Sequence, residues 1–134
     1  MRIVHTPDAP THAGPVPQAV EAGGWNFVSA LFGVHPHKRE IPGDARAEAH
    51  QLFDNLAAIL AACDAELSDV VRVGIVMRDL QHDRPVFNEV WVERFGEHRP
   101  ARATIESRAT IESPAFGRSG EQARFMIEAA AYRG

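Results

Sequence analysis

Residues 44–63, DARAEAHQLFDNLAAILAAC, and residues 70–77, VVRVGIVM, decide the fold. In the first stretch Ala49, Leu52, Phe53, Leu56, Ile59, Leu60 and Cys63 recur at spacings of three and four, which predicts a helix with one apolar stripe. Asp44 is placed to cap its N-terminus. Arg46, Glu48, His50, Gln51 and Asn55 fall largely away from the stripe. The second stretch is a β-branched run and reads as a mostly buried strand. A one-sided helix leading directly into a buried strand calls for a sheet with helices laid on it.

Upstream, WNFVSALF at 25–32 is aromatic and apolar, is bounded by Gly24 and Gly33, and reads as a strand. Residues 1–24 hold Pro7, Pro10, Gly14, Pro15, Pro17, Gly23 and Gly24. After a short strand over Arg2–His5 they read as an ordered loop, with Gly23-Gly24 a turn before a strand. Residues 33–43 read as turns. Downstream, Asp79–Pro85 reads as a turn, and a second helix begins near Pro85, a residue suited to a first helical position. Phe87, Val90, Trp91, Val92 and Phe95 supply its apolar side, Gly96 ends it and Pro100 prevents its resumption. A strand over Arg102–Ile111, a loop holding Pro114, Gly117 and Gly120, and a last strand over Ala123–Tyr132 follow. The expected class is α+β: one domain over 1–134, a mixed β-sheet with two helices packed on one face. The other face needs a cover, and in so small a chain self-association supplies it.

Residues 102–107 read RATIES, and residues 108–113 repeat it. Six is even, so strand parity survives the duplication. Arg102, Thr104, Glu106, Arg108, Thr110 and Glu112 would share one face, and Ala103, Ile105, Ala109 and Ile111 the other. On an unbroken strand the two arginines would stand roughly 20 Å apart, too far to serve one pocket within a chain. A bulge or loop between the copies is the alternative.

Composition narrows the function classes. The chain has 134 residues and a formal net charge of −4, with no clustered basic patch. That argues against a general nucleic-acid or membrane-surface binder. No apolar run reaches the roughly 20 residues of a membrane span, and the N-terminus lacks a signal pattern. The expected location is the cytoplasm. The single cysteine, Cys63, excludes an intramolecular disulfide and, at the end of the helical stripe, reads as a buried small residue. His35-Pro36-His37 is a close histidine pair with nothing nearby to complete a zinc set, and reads as a solvated loop. No phosphate-binding loop, Ser-His-Asp arrangement or dinucleotide fingerprint is present, so no metal and no cofactor are expected.

Several segments, in order, resemble the RidA/YjgF family. Gly14-Pro15-Val16-Pro17-Gln18-Ala19-Val20 is similar to its Gly-Pro-Tyr-Ser-Gln-Ala-Val signature. Phe27-Val28-Ser29-Ala30-Leu31 is similar to its strand ending in Ser-Gly-Gln. Asn55–Leu60 and Leu67–Val71 match the first helix and the entry to the next strand. Phe87–Trp91 with Phe95 matches the second helix, Pro100-Ala101-Arg102 its Pro-Ala-Arg motif, and Ile127-Glu128-Ala129 its C-terminal Ile-Glu-Ala. The likeness runs from about residue 13 to residue 132. It implies a chorismate-mutase-like homotrimer with clefts between subunits. It also implies hydrolysis of reactive, carboxylated enamines and imines to keto acids and ammonia.

The resemblance makes Arg102 the central site residue, because a guanidinium grips a carboxylate through two parallel hydrogen bonds. Ser29, Val16, Ala30, Thr104 and Met126 fall at the family's other cleft positions. Several depart from its pattern: Val16 replaces a tyrosine, Ala30 and Leu31 replace a Gly-Gln pair, and Met126 replaces a glutamate that handles water. A thioether takes no proton from water. The connection over 107–122 is also longer than usual. Arg108 would take over if the first RATIES copy is the insertion. Glu128 and Glu106 are the carboxylates within reach to stand in for the lost glutamate, but each reads first as an ordinary structural or interface acid. Asn88 is retained from the family. A deaminase-like hydrolase is the leading reading. A non-catalytic trimer binding a small carboxylate, or a different reaction in the same cleft, is the alternative. An RNA-acting role, described for some family members, is disfavoured by the acidic balance.

Overall fold

The structure, a computed structural model, describes residues 1–12, 15–108 and 123–134. Strands β1 (Arg2–Val4), β2 (Ala19–Ala22) and β3 (Trp25–Phe32) lead into helix α1 (Ala45–Ala62). A single 3-10 turn over Leu67–Asp69 then introduces β4 (Val70–Met77), α2 (Leu80–Phe95), β5 (Ala101–Glu106) and β6 (Phe125–Tyr132). The six strands form one sheet in the order β1-β2-β3-β6-β4-β5. β4 and β5 are parallel, and the other pairs are antiparallel. The chain thus crosses over the sheet through α1 and again through α2, and the last strand inserts between β3 and β4. This is the expected α+β class, with both helices on one face.

The core lies between helices and sheet. Leu52, Leu56, Ile59 and Leu60 of α1 are fully buried with Val28 and Leu31 of β3, Val73 and Ile75 of β4, and Phe125 and Ile127 of β6. Phe53, Phe87, Trp91 and Phe95 form an aromatic stack where α1 meets α2, with centroids 5.4 to 6.3 Å from the Phe53 ring. The opposite face of the sheet is also apolar but open. Trp25, Phe27, Ile3, Val71, Ile105 and Tyr132 are all exposed there.

Five expectations are corrected. The loop expected before residue 25 contains β2, which pairs with both β1 and β3. Its sequence, AVEA, is short and weak in β-propensity; its existence follows from its partner and from the Gly23-Gly24 turn. Those glycines have φ of 59° and 85°, and Ala22 pairs with Trp25, so they form a two-residue hairpin loop with both central φ positive.

The turn expected at 79–85 is the start of α2. Asp79 caps it, its side chain accepting the His82 N–H at 3.2 Å, and the Glu106 carboxylate accepts the Leu80 N–H at 2.9 Å. Pro85 therefore lies inside the helix, where its missing N–H forfeits one backbone bond. These two carboxylates stabilise a first turn that the proline alone would have placed later.

The strand expected over 102–111 ends at Glu106, and Arg108 does not continue its face. Arg108 turns back to Asp79, at 3.7 Å, and Glu106, at 3.5 Å. Residues 109–122, with the rest of the second RATIES copy and the loop after it, lie outside the described residues. The last strand begins at Phe125 rather than Ala123.

Two residues expected on the outer side of α1 are buried. Glu48 is 0 % exposed; its carboxylate accepts the backbone N–H groups of Arg124 (2.7 Å) and Phe125 (3.2 Å) and the Arg124 guanidinium (2.8 Å). Asn55 donates to the carbonyls of Phe32 and Val34, each at 2.9 Å. Both satisfy backbone that leaves the sheet, a need that apolar periodicity does not reveal. Gln18, also buried, does the same for the N-terminal segment, accepting from the Thr6 N–H and donating to the carbonyls of Thr6, Ala9 and Pro10.

Candidate active site

Arg102 projects from β5 toward α2. Its Cζ lies 4.8 Å from the Trp91 ring centroid and 5.5 Å from that of Phe87, within the range of cation–π attraction. Its Nε donates to the Thr104 hydroxyl at 2.9 Å, which fixes the plane of the guanidinium. Burial, and then the neighbouring Arg84 cation, weaken its hold on the proton, but a guanidinium remains charged at physiological pH. Among the described residues no carboxylate pairs with it. A half-buried cation on an aromatic floor, with its plane fixed and no acid on its terminal nitrogens among the described residues, has the chemistry to accept a carboxylate through paired hydrogen bonds.

A second group lies on β3 and β6. The register of the β3–β6 pair shifts between Val28 and Leu31, so Ser29 and Ala30 sit in a β-bulge. Bulges re-aim side chains and release backbone groups from the ladder. The Ser29 hydroxyl donates to the Pro17 carbonyl at 2.8 Å, and its N–H donates to the Gln18 carbonyl at 3.0 Å. The Ala30 carbonyl accepts from His12 Nε2 at 2.7 Å. Val16 is exposed beside them. Met126 pairs with Phe32 in the same ladder and packs against the small cluster of Phe32, Val34 and Ala123.

The two groups do not meet within one chain. β6 and β4 lie between β3 and β5, so three strand spacings, about 14 Å, separate them. They also use different faces: Arg102 and Thr104 point to the helix side, whereas Met126 alternates with buried Phe125 and Ile127 and points to the open side.

The remaining candidates have local partners. Glu128 follows Met126 on the open face, is largely exposed, and lies 3.6 Å from Arg72. Glu106 caps α2. Asn88 is exposed on α2. His35 Nδ1 accepts the N–H groups of His37 and Lys38, shaping a turn, and among the described residues no three potential ligands gather around a metal position. Cys63 is buried at the α1 C-terminus, and burial pushes its thiol up.

The family model described as Endoribonuclease L-PSP matches residues 6–115. The chain belongs to the RidA/YjgF family. The 2-iminobutanoate/2-iminopropanoate deaminase of Dermatophagoides farinae is 40% identical over 105 residues, covering 78% of this chain and 81% of its own. The protein of the same name from Escherichia coli K12 is 31% identical over 132 residues, 98% of each chain. RidA from the Antarctic bacterium Psychrobacter sp. superposes with a TM-score of 0.87 at 31% identity, covering 99% of this chain and 100% of that one. Among the described residues no helix is long and apolar enough to cross a membrane.

For a RidA/YjgF protein, the aromatic floor under Arg102 and the His12–Ala30 bond were not foreseen. Phe87 and Trp91 were read only as the apolar side of a helix. Their i, i+4 spacing was the signal that both rings could face one partner. For His12 the sequence carried no signal, since a lone histidine in a proline-rich segment has no periodicity to locate it.

Proposed function

We propose that this protein releases ammonia from small enamines or imines that carry a carboxylate. It acts as a homotrimer with clefts between subunits, and Arg102 clamps the substrate. The observation that carries the reading is the half-buried Arg102 guanidinium, fixed by Thr104, Trp91 and Phe87 and lacking an acidic partner among the described residues. The deaminase names of the relatives at 31% and 40% identity give the reaction class. The separation of Arg102 from Ser29, Ala30, Val16 and Met126 favours a cleft completed by a neighbouring copy, and the open apolar sheet face is the surface to bury in that assembly.

In this reading Arg102 orients the carboxylate beside the C=N carbon. Water adds to that carbon, the C–N bond breaks, and the nitrogen leaves as ammonia with the keto acid remaining. Positioning supplies most of the acceleration that so labile a bond requires. The pairing of Arg108 with Asp79 and Glu106 supports Arg102 over Arg108 as the clamp.

Met126 favours a second reading. No proton acceptor stands where the family's water-handling glutamate would, so the same cleft would bind a small carboxylate without turning it over. One experiment separates the two. Amino acids are converted to imino acids by an amino-acid oxidase in the presence of semicarbazide. A deaminase competes with the trap and lowers the semicarbazone signal. The wild type and Arg108→Ala should both do so, and Arg102→Ala should not. An inert but folded wild type that still binds keto acids through Arg102 would leave the binding reading in its place.

A further inference from the structure

The bulge in β3 sets two residues, Ser29 and Ala30, against one on β6, Glu128: Val28 pairs with Ala129 and Leu31 with Ile127, and the register shifts between them. A bulge disrupts the ladder, so its backbone groups need other partners. The N-terminal segment supplies them. The Ser29 N–H donates to the Gln18 carbonyl at 3.0 Å, and the Ser29 hydroxyl donates to the Pro17 carbonyl at 2.8 Å. The Ala30 carbonyl accepts from His12 Nε2 at 2.7 Å, across 18 residues of sequence. Gln18 in turn is buried and bonded to Thr6, Ala9 and Pro10, so the segment that reaches the bulge is itself anchored.

The state of the His12 ring follows from its partner. A carbonyl only accepts, so Nε2 carries the ring proton. Nδ1 is buried and has no hydrogen-bond partner among the described residues. Leaving a buried nitrogen unpaired is costly, and a half-buried histidine with no role at the bulge would turn that nitrogen to water. The ring is therefore held where it is by its single bond to Ala30.

We propose that His12 is a positioning residue for the cleft. Its Nε2–H fixes the Ala30 carbonyl, and with it the peptide plane between Ala30 and Leu31, so that the bulge keeps its shape as the wall against which a substrate lies. This role rests on the reading that Ser29 and Ala30 belong to the cleft that Arg102 completes. His12 touches no substrate atom and acts through the backbone of β3. A wall meets the bound substrate and the transition state alike. Loosening it weakens binding and leaves the turnover of bound substrate little changed.

The test is a titration of the intact protein with 2-oxobutanoate, alongside steady-state kinetics in the semicarbazide assay. The amide nitrogen of glutamine stands as many bonds from Cβ as histidine Nε2 does, whereas that of asparagine stands one bond closer. His12→Gln should therefore keep Kd and KM within about twofold of wild type. His12→Asn and His12→Ala should each raise both by about three- to tenfold, the scale of one lost hydrogen bond, with kcat little changed. A merely structural defect would lower the fraction of working protein and move neither constant. Wild-type constants in His12→Asn and His12→Ala, or an equal loss in His12→Gln, would overturn the role of His12. The Arg102 clamp would then stand or fall separately, on the loss of 2-oxobutanoate binding in Arg102→Ala. A wild type that does not bind 2-oxobutanoate, or binds it as Arg102→Ala does, would overturn the cleft reading and the role of His12 with it.

Discussion

The guanidinium of Arg102 lies 4.8 Å from the ring centroid of Trp91, across the β5–α2 interface. Trp91 is also a core residue, 6 % exposed, with its ring 4.6 Å from that of Phe95. One side chain thus ties the position of the proposed carboxylate clamp to the packing of the domain.

Replacing Trp91 by Phe keeps an aromatic floor but weakens the quadrupole under the cation. Cation–π attraction is worth roughly 0.5–2 kcal/mol. Losing part of it should raise KM, or the Kd of a keto-acid ligand, by about two- to fivefold, with kcat little changed. Steady-state kinetics with a titration calorimetry control would check this. A fall in kcat at constant KM would show that Trp91 acts on the chemistry rather than on the clamp.

Glu48 supplies a pH dependence whose sign follows from burial. Desolvation raises its carboxyl above the ordinary carboxylate value, outweighing the hydrogen bonds and charge of Arg124 and the N–H of Phe125. The folded state therefore holds this proton more tightly than the unfolded chain does. Its contribution to stability is fully present below the ordinary carboxyl range and is lost as pH rises through the raised folded value. Glu48→Gln removes the titration. The stability difference, wild type minus variant, should therefore grow as pH falls through that window. Denaturant unfolding at a series of pH values measures it, and a difference that shrinks on acidification would show that Arg124 dominates instead. At neutral pH the variant should still be less stable. An amide presents one acceptor where the carboxylate receives three hydrogen bonds, a loss on the order of 2–4 kcal/mol.

The fold was legible in the sequence where apolar periodicity is long and regular. α1 and its Asp44 cap, β3 and β4 fall where the pattern puts them, because each buries one face against the same core. Legibility failed where tertiary partners decide. β2 is held by its neighbours, and the start of α2 by the Glu106 carboxylate, 26 residues away in sequence. Glu48 and Asn55 are polar letters in a helix, yet both are buried because strand ends and loops need their hydrogen bonds. The candidate site residues were named from their family-like motifs, but the sequence did not give their arrangement. Nothing in the order of residues tells that Arg102 and Met126 use opposite faces of the sheet.

The open sheet face gives a direct test of assembly. Phe27 is 48% exposed there, stacked 6.1 Å from Trp25. A buried phenylalanine contributes about 1.5–3 kcal/mol, and a carboxylate in its place would be desolvated without a partner. Phe27→Glu should therefore convert the proposed trimer to monomers with little change in secondary structure, and should abolish substrate binding with it. Light scattering coupled to size exclusion reads the first, and circular dichroism the second. A monomeric wild type, or a variant that stays trimeric, would mean that this face is not the interface.

Met126 offers the complementary gain-of-function test. It lies on the open face, one strand step of two residues from Glu128, and packs against Phe32, Val34 and Ala123. Met126→Glu places a carboxylate where the family's deaminases carry one. It would lie about 7 Å from Glu128, close enough for like-charge repulsion to favour the protonated form of one of them. A positioned general base is worth about 10²–10⁴ in rate. If water activation is what this chain lacks, kcat in the semicarbazide assay should rise by at least about tenfold, with KM, which the proposed Arg102 clamp would set, unchanged. If the wild type already turns over rapidly and the variant is no faster, another group handles the water. The carboxylate of Glu128, held near Arg72 at 3.6 Å and free to rotate on an exposed strand face, would then be the next residue to neutralise.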